Sequence, residues 1–141
     1  MNIPDIQDIV PILLCAMIFM HIIDDYYLQG ILAQMKQKSW WEQYIEKDKQ
    51  YKYDFVMALF MHGFSWSFMI HIPMIIMYYA YGFTSFYKYL AISIFVNSII
   101  HSIIDHAKCN LFKINLREDQ IIHLIQIVVV FFLFIILPLI N

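Results

Sequence analysis

The sequence is poor in the residues that mark loops, disulfides and soluble surfaces. It has three glycines, four prolines and two cysteines in 141 residues, and only 14% of its residues are charged. Little glycine and proline excludes a collagen-like or disordered chain, and two cysteines far apart exclude a disulfide framework. A formal net charge of −2 gives no support for nucleic-acid binding. The length excludes a multidomain protein.

What the chain has in excess is apolar side chains. Hydrophobic residues make up 62% of the sequence, and the mean hydropathy is +0.64. A soluble domain of about 150 residues buries only about 70% of the surface that its unfolded chain exposes, so it could not hide this much apolar surface. The composition therefore predicts an integral membrane protein. The N-terminus is acidic and no small-residue cleavage site follows, so we expect no cleavable signal peptide.

Four apolar stretches predict an all-α fold, a single domain over residues 1–141 with four transmembrane helices in a bundle. Each stretch is close to the ~20 residues that cross ~30 Å of hydrocarbon. Pro73 is expected to kink the second helix, which a membrane bundle tolerates. The predicted helices cover about residues 9–33, 55–81, 86–107 and 119–140.

The positive charges predict the orientation of these helices. Eight of the nine basic side chains fall in two connections, residues 36–53 and 108–118. Basic connections stay in the cytoplasm, so we expect both segments there and both termini outside. Trp40 and Trp41 are expected at headgroup level, in a solvated or interfacial loop. This orientation corresponds to a multi-pass protein of the cell inner (plasma) membrane.

The polar residues inside the spans follow a pattern. A charged side chain at the centre of a spanning helix costs ~2.5–3.5 kcal/mol on insertion scales, so its presence needs a reason. At a rise of about 1.5 Å per residue, all four helices bring their polar residues to the cytoplasmic leaflet. Three His/Asp pairs are spaced four residues apart, which places both members on one helical face. The pairs are His21 and Asp25, His101 and Asp105, and Asp119 and His123, and the second helix adds His62.

Imidazole and carboxylate groups on facing helices predict a divalent metal site. Such mixed ligands suit zinc first, with manganese or iron as alternatives, and helix bundles bind metals through inward-pointing side chains. The residues fill either two metal positions or one position with carboxylates behind the histidines, and both arrangements stay open. The predicted metal ligands are His21, Asp25, His62, His101, Asp105, Asp119 and His123.

The remaining polar residues of the spans need less explanation. Polar side chains in a membrane bundle can simply hydrogen-bond between helices. His71 lies on the helical face opposite His62, and His106 points away from the face of His101, so we expect both to be structural. Asp24 lies three residues after His21 and shares its helical face. We weigh two roles equally for it, metal ligand and interfacial residue.

The same residues match the motifs of a known family. The chain resembles the family catalogued as domain of unknown function 3307, small inner-membrane proteins of bacteria and phages. Its signature is H-x3-D-[FY]-x-L-Q in the first helix, a His in the second, H-x3-D-x2-K in the third and D-Q-x2-H opening the fourth. The match runs in order across nearly the whole chain. The matching residues are His21, Asp25, Tyr26, Leu28 and Gln29; His62; His101, Asp105 and Lys108; and Asp119, Gln120 and His123.

The resemblance carries an expectation about chemistry only by analogy. The family has no established activity, but its motif style is similar to that of predicted membrane-bound metal-dependent hydrolases. Tyr26 stands at the position of the first-helix signature where Phe is commoner in the family. The long lysine-rich connection, residues 36–53, is less typical of the family and is a candidate surface for a partner protein or a second copy of the chain.

The sequence thus predicts a membrane-embedded metal-dependent hydrolase. A site in the cytoplasmic leaflet implies a membrane lipid or lipid-linked substrate, an amphiphile that bears phosphate. Asp25 and Asp105 are expected to act as ligands or general base, because a bound divalent ion activates water for attack. Lys108, one turn beyond Asp105, is expected to hold an anionic group such as phosphate.

Other functions stay open at this point. A transporter or channel for protons or divalent ions also uses intramembrane Asp and His residues, although residues 9–19 and 128–140 are apolar and offer no exit. Facing histidines also bind haem, but their Asp partners argue against it. The last alternative is a non-catalytic membrane interaction protein.

Overall fold

The computed structural model describes residues 6–82 and 87–136, and every regular element within these ranges is helical. Four candidate spans are long and apolar enough to cross a membrane: Asp8–Leu28, Lys49–Tyr81, Tyr87–Cys109 and Leu116–Ile136. The all-α architecture with four such helices is therefore confirmed. In order, the elements are α1 (Ile6–Ile22), a π-helix (Ile23–Leu28), α2 (Leu32–Met35), α3 (Lys38–Ile45), a 3-10 helix (Lys49–Tyr53), α4 (Asp54–Tyr81), α5 (Tyr87–Cys109), α6 (Leu116–Phe131) and a second π-helix (Phe132–Ile136).

Three of the helices begin or end close to the predicted positions. α4 starts one residue before the predicted 55, and α5 ends two residues after the predicted 107. α6 starts at Leu116, three residues early, because Asn115 and Glu118 form a reciprocal capping box there. The predicted start of the third helix at residue 86 and the predicted end of the fourth, over residues 137–140, lie outside the described residues.

The first predicted helix, residues 9–33, is wrong at its C-terminal end. The α-helix stops at Ile22 and continues as a π-helix to Leu28. The chain then turns at Gly30, whose φ of +53° favours glycine because a side chain is strained there. The π-helix carries Asp24 and Asp25, and short π segments are frequent at functional sites.

Part of the lysine-rich connection packs onto the bundle, whereas most of the stretch predicted as a solvated or interfacial loop, residues 40–52, is exposed or half-buried. Trp41 is 7% exposed and packs against Phe55 and Leu59, and its indole N–H donates to the carbonyl of Met35. Lys36 is also buried. These side chains lie inside the protein, because α2 and α3 fold back over the end of the bundle.

The bundle is divided into an apolar half and a polar half. α4 packs against α1 and α5, and α6 contacts the same two helices. The half remote from the charged connections has an apolar core, which includes Leu13, Ile70 and Met74. Trp66 is fully buried at the boundary, where its ring stacks on His101 with centroids 4.3 Å apart.

Gly63 allows α4 to approach α5 closely. A Cβ at this position would lie 2.6 Å from the carbonyl oxygen of Ser98 and would also clash with Oγ of Ser102. We expect Gly63→Ala to destabilise the protein by about 1–3 kcal/mol, measured by unfolding in detergent, because the helices must separate. Adding Ser102→Ala should not restore stability, since the backbone carbonyl remains. Full restoration would contradict the close approach.

Candidate metal centre

The polar residues of the four long helices converge in one buried cluster. The cluster lies at the end of the bundle where α1 ends, α4 begins, α5 ends and α6 begins. Its six most deeply buried residues are at most 1% exposed: Asp24, His62, His101, Asp105, Asp119 and His123. Three overlapping triads have ligand atoms that all lie within 4.8 Å of one another: Asp25, His62 and His101; His101, Asp105 and His123; and Asp25, Asp119 and His123.

The first ligand group surrounds Nε2 of His62. This atom lies 3.2 Å from Nε2 of His101, 3.3 Å from Oδ1 of Asp25 and 3.4 Å from Oδ2 of Asp105. Ligands bound to zinc at about 2.0–2.1 Å in a tetrahedron are about 3.3–3.4 Å apart. The spacing of the first ligand group therefore fits a divalent cation.

The second ligand group surrounds Nε2 of His123. This atom lies 3.3 Å from Oδ1 of Asp119 and 3.7 Å from Oδ1 of Asp105. All three atoms are buried and have no hydrogen-bond partner within the described residues. Buried polar groups are nearly always paired, because leaving one unpaired is costly. Three buried ligand atoms that face one another have the composition and spacing of a divalent cation site.

A chain of hydrogen bonds determines which ring nitrogen of His123 carries no proton. Nδ2 of Asn97 donates to the carbonyl of Ser93 at 3.0 Å, and Oδ1 of Asn97 accepts from Nε2 of Gln126 at 3.3 Å. Oε1 of Gln126 then accepts from Nδ1 of His123 at 3.1 Å. A backbone carbonyl can only accept, so each donor along the chain is fixed. In the neutral imidazole, Nε2 of His123 is left with its lone pair towards the carboxylates.

His21 takes a different position from the one predicted. Its Nδ1 accepts from the indole N–H of Trp66 at 2.7 Å, so its Nε2 carries the proton and donates to Oε1 of Gln120 at 3.1 Å. Nε2 of Gln120 in turn donates to Oδ2 of Asp25 at 2.8 Å and to Oδ2 of Asp119 at 3.1 Å. His21 belongs to none of the three triads and orients Gln120, which holds two carboxylates.

Two lysines neutralise carboxylates of the cluster. Nζ of Lys36 lies 2.6 Å from Oδ2 of Asp105, and Lys36 is 4% exposed. Nζ of Lys108 lies 2.5 Å from Oδ2 of Asp119 and 3.6 Å from Oδ1 of Asp105. Lys108, predicted to hold an anion, thus contacts carboxylates here. Its side chain is 22% exposed and is the more accessible of the two.

Sequence reasoning missed Lys36 because its charge was assigned to the cytoplasmic connection. The side-chain amide of Asn110 fixes the segment: its Nδ2 donates to the carbonyl of Lys36 at 2.9 Å, and its Oδ1 accepts from the N–H of Lys38 at 2.7 Å. The one local signal for this arrangement is Gly30, which marks the turn that brings the chain back.

The residues predicted to be structural lie outside the ligand groups. His71 donates from Nδ1 to the carbonyl of Ser67 at 2.7 Å and accepts from Ser93 at 2.9 Å. His106 stacks on Phe55, with ring centroids 5.7 Å apart. Neither histidine belongs to a triad, which agrees with the prediction.

Asp24 lies behind a ligand. Its Oδ1 accepts from Oγ of Ser65 at 2.6 Å, and its Oδ2 faces Nδ1 of His62 at 3.8 Å. This is the ring nitrogen that points away from the first ligand group. Metal-bound histidines commonly have a carboxylate on that side, which fixes the orientation of the ring. Asp24 belongs to no triad, and instead of either role left open for it, ligand or interfacial residue, the geometry favours support of His62.

Comparison with known proteins finds no matching family model, no similar curated protein and no similar solved structure. The resemblance to the domain of unknown function 3307 family therefore rests on the motifs alone and stays a prediction.

Proposed function

We propose that this chain is a membrane-embedded metal-dependent hydrolase that cleaves a phosphate ester of an amphiphile at the cytoplasmic leaflet. The observation that carries the proposal is the convergence of three buried, unpartnered ligand atoms, on His123, Asp119 and Asp105. A divalent cation satisfies all three at once. His62, His101 and Asp25 supply further ligands beside them.

The outer surface of the helices supports insertion in a membrane. Large apolar side chains on all four long helices stay exposed, among them Phe19, Met57, Ile92 and Val129. Hydrocarbon covers such surfaces at no cost, whereas contiguous apolar patches of this extent are rare on soluble monomers. We place the cluster on the cytoplasmic side and both termini outside.

Labelling of introduced cysteines tests this orientation. In a chain without its native cysteines, positions 42 and 113 should react only with reagents that reach the cytoplasm, and position 83 only from outside. Position 83 lies outside the described residues, and its side is predicted from the span count. The reverse pattern would contradict the orientation.

A crevice beside the cluster supports an amphiphilic substrate. It has a volume of about 480 Å³ and lies between the first and last spans, with Ile18, Ile22 and Leu124 among its apolar lining residues. Its lining also includes the polar side chains of His21 and Gln120, and Gln120 donates to Asp25. An acyl or isoprenoid chain in the crevice would bring a polar head to the cluster.

The residues of the cluster have different roles in the proposed hydrolysis. A bound divalent ion activates water and polarises the phosphoryl oxygen. The ammonium groups of Lys36 and Lys108 are placed to neutralise the phosphoryl oxygens. Asp25, held by Gln29 and Gln120, binds the ion through Oδ1 and takes the proton of the attacking water on Oδ2. The water oxygen bonds to phosphorus, the ester P–O bond breaks, and the proton ends on the alcohol that leaves.

Metal analysis of protein purified without chelator tests the proposal. We expect at least one ion per chain among Zn, Mn, Fe, Co and Ni, and phosphoesterase activity that a chelator removes. His101→Ala should lower the metal content strongly, whereas His71→Ala should not, because His71 lies outside the ligand groups. Less than ~0.1 ion per chain, or equal losses in the two variants, would overturn the metal assignment.

One observation favours a second candidate function, transport of protons or divalent ions. The hydrogen-bonded chain from His123 through Gln126, Asn97 and Ser93 ends at His71. Ser93 lies eight residues from His101, about 12 Å along the helix, so polar groups extend further than the sequence pattern indicates. Flux of Mn²⁺ or protons into vesicles that contain the protein would favour transport over hydrolysis.

A further inference from the structure

We propose that the cluster holds two divalent cations per chain and that the carboxylate of Asp105 is shared between them. This inference rests on the proposed metal-dependent function and specifies its cofactor. Of the alternatives of one or two ions that the sequence left open, the proposal takes two.

The number of available ligands favours two ions. A catalytic zinc ion takes about three protein ligands, and a structural one takes four. The three triads together contain six side chains, which is more than one tetrahedral ion accommodates and suits two. The six are Asp25, His62, His101, Asp105, Asp119 and His123.

The two oxygens of Asp105 face different ligand groups. Oδ2 faces His62 at 3.4 Å and His101 at 3.8 Å, in the first ligand group. Oδ1 faces His123 at 3.7 Å, in the second group. Asp105 is fully buried and cannot turn to solvent. A carboxylate that presents one oxygen to each ligand group is placed to bridge two cations.

Buried atoms without hydrogen-bond partners give evidence that does not depend on the number of ligands. Of the five buried side-chain atoms without a hydrogen-bond partner among the described residues, three belong to the second ligand group: Nε2 of His123, Oδ1 of Asp119 and Oδ1 of Asp105. A single ion in the first group, around His62, would leave these three atoms unpaired. A cation in the second group gives all three a partner, and the number of ligands together with the placement of Asp105 argues for another cation in the first group.

Lys36 and Lys108 each contact a carboxylate of a different ligand group. Lys36 contacts Oδ2 of Asp105, in the first group, and Lys108 contacts Asp119, in the second. Each ligand group thus already holds one ammonium. Two divalent cations and two ammonium groups exceed the charge of the four buried carboxylates, on Asp24, Asp25, Asp105 and Asp119, by two. A phosphate dianion balances this excess, so we include inorganic phosphate in the test.

The test measures Mn²⁺ bound at saturation to the full chain in detergent, with inorganic phosphate present. We expect two ions per chain and an electron paramagnetic resonance spectrum of a spin-coupled pair. His62→Ala and His123→Ala should each retain one ion with an uncoupled spectrum, because each variant disables a different group. His71→Ala, the matched control, should retain two coupled ions.

The outcomes separate this inference from the proposed function. One ion per chain at saturation, or complete loss of metal in both His62→Ala and His123→Ala, overturns the two-ion centre. Chelator-sensitive hydrolysis with a single ion would leave the proposed function intact. Two coupled ions without any phosphoesterase activity would support the centre and count against the hydrolase.

Discussion

Asp105→Asn is expected to remove bound metal and to lower phosphoesterase activity at least ~1,000-fold, about 4 kcal/mol of transition-state stabilisation. Asp105 is fully buried and faces His62 at 3.4 Å and His123 at 3.7 Å. The substitution keeps the shape of the side chain but replaces a charged ligand oxygen by an amide N–H₂, which only donates. Elemental analysis and turnover of a phosphate ester measure the two effects.

This variant needs a control for folding. Without the carboxylate, the buried ammonium of Lys36 loses its partner, and breaking a buried pair from one side costs about 3–5 kcal/mol. Asp105→Asn combined with Lys36→Met should fold normally and still bind no metal. Asp24→Asn, which changes a carboxylate behind His62, should lower metal affinity only about 10–100-fold. Normal metal content in the double variant would contradict the central role of Asp105.

Lys108→Met is expected to lower phosphoesterase activity at least ~10-fold, about 1.4 kcal/mol, without loss of metal. Methionine keeps the apolar stem and removes only the charge. In the structure the ammonium contacts Asp119 and Asp105, so it competes with a cation for both carboxylates. Removing it should therefore maintain or raise metal affinity, while the substrate phosphate loses a counter-charge.

Lys113→Met is the matched control for Lys108→Met. Lys113 lies five residues further along, is exposed and makes no ion pair within the described residues, so its substitution should leave turnover and metal content unchanged. A carrier of cations would tolerate Lys108→Met or move cations faster. Unchanged turnover in Lys108→Met would remove the anion-binding role assigned to this lysine.

The sequence by itself determined the class of protein and much of the site. Four long apolar stretches predict four helices, since backbone polar groups in hydrocarbon must be satisfied within the helix, and the structure has four helices long and apolar enough to cross a membrane. The pairs His101 and Asp105, and Asp119 and His123, face each other across 3.8 and 3.3 Å. The helical period places the two members of each pair on one face, because both pairs lie within regular α-helix.

The tertiary structure decided the remaining features of the site. His21 and Asp25 have the same spacing, but a π-helix begins between them at Ile23, and its wider turn changes the face that each residue occupies. Lys36 reaches Asp105 across 69 positions of sequence only because the chain turns at Gly30 and packs against α5. Periodicity describes neighbours on one helix, whereas contacts between distant segments depend on turns and packing that no local pattern specifies.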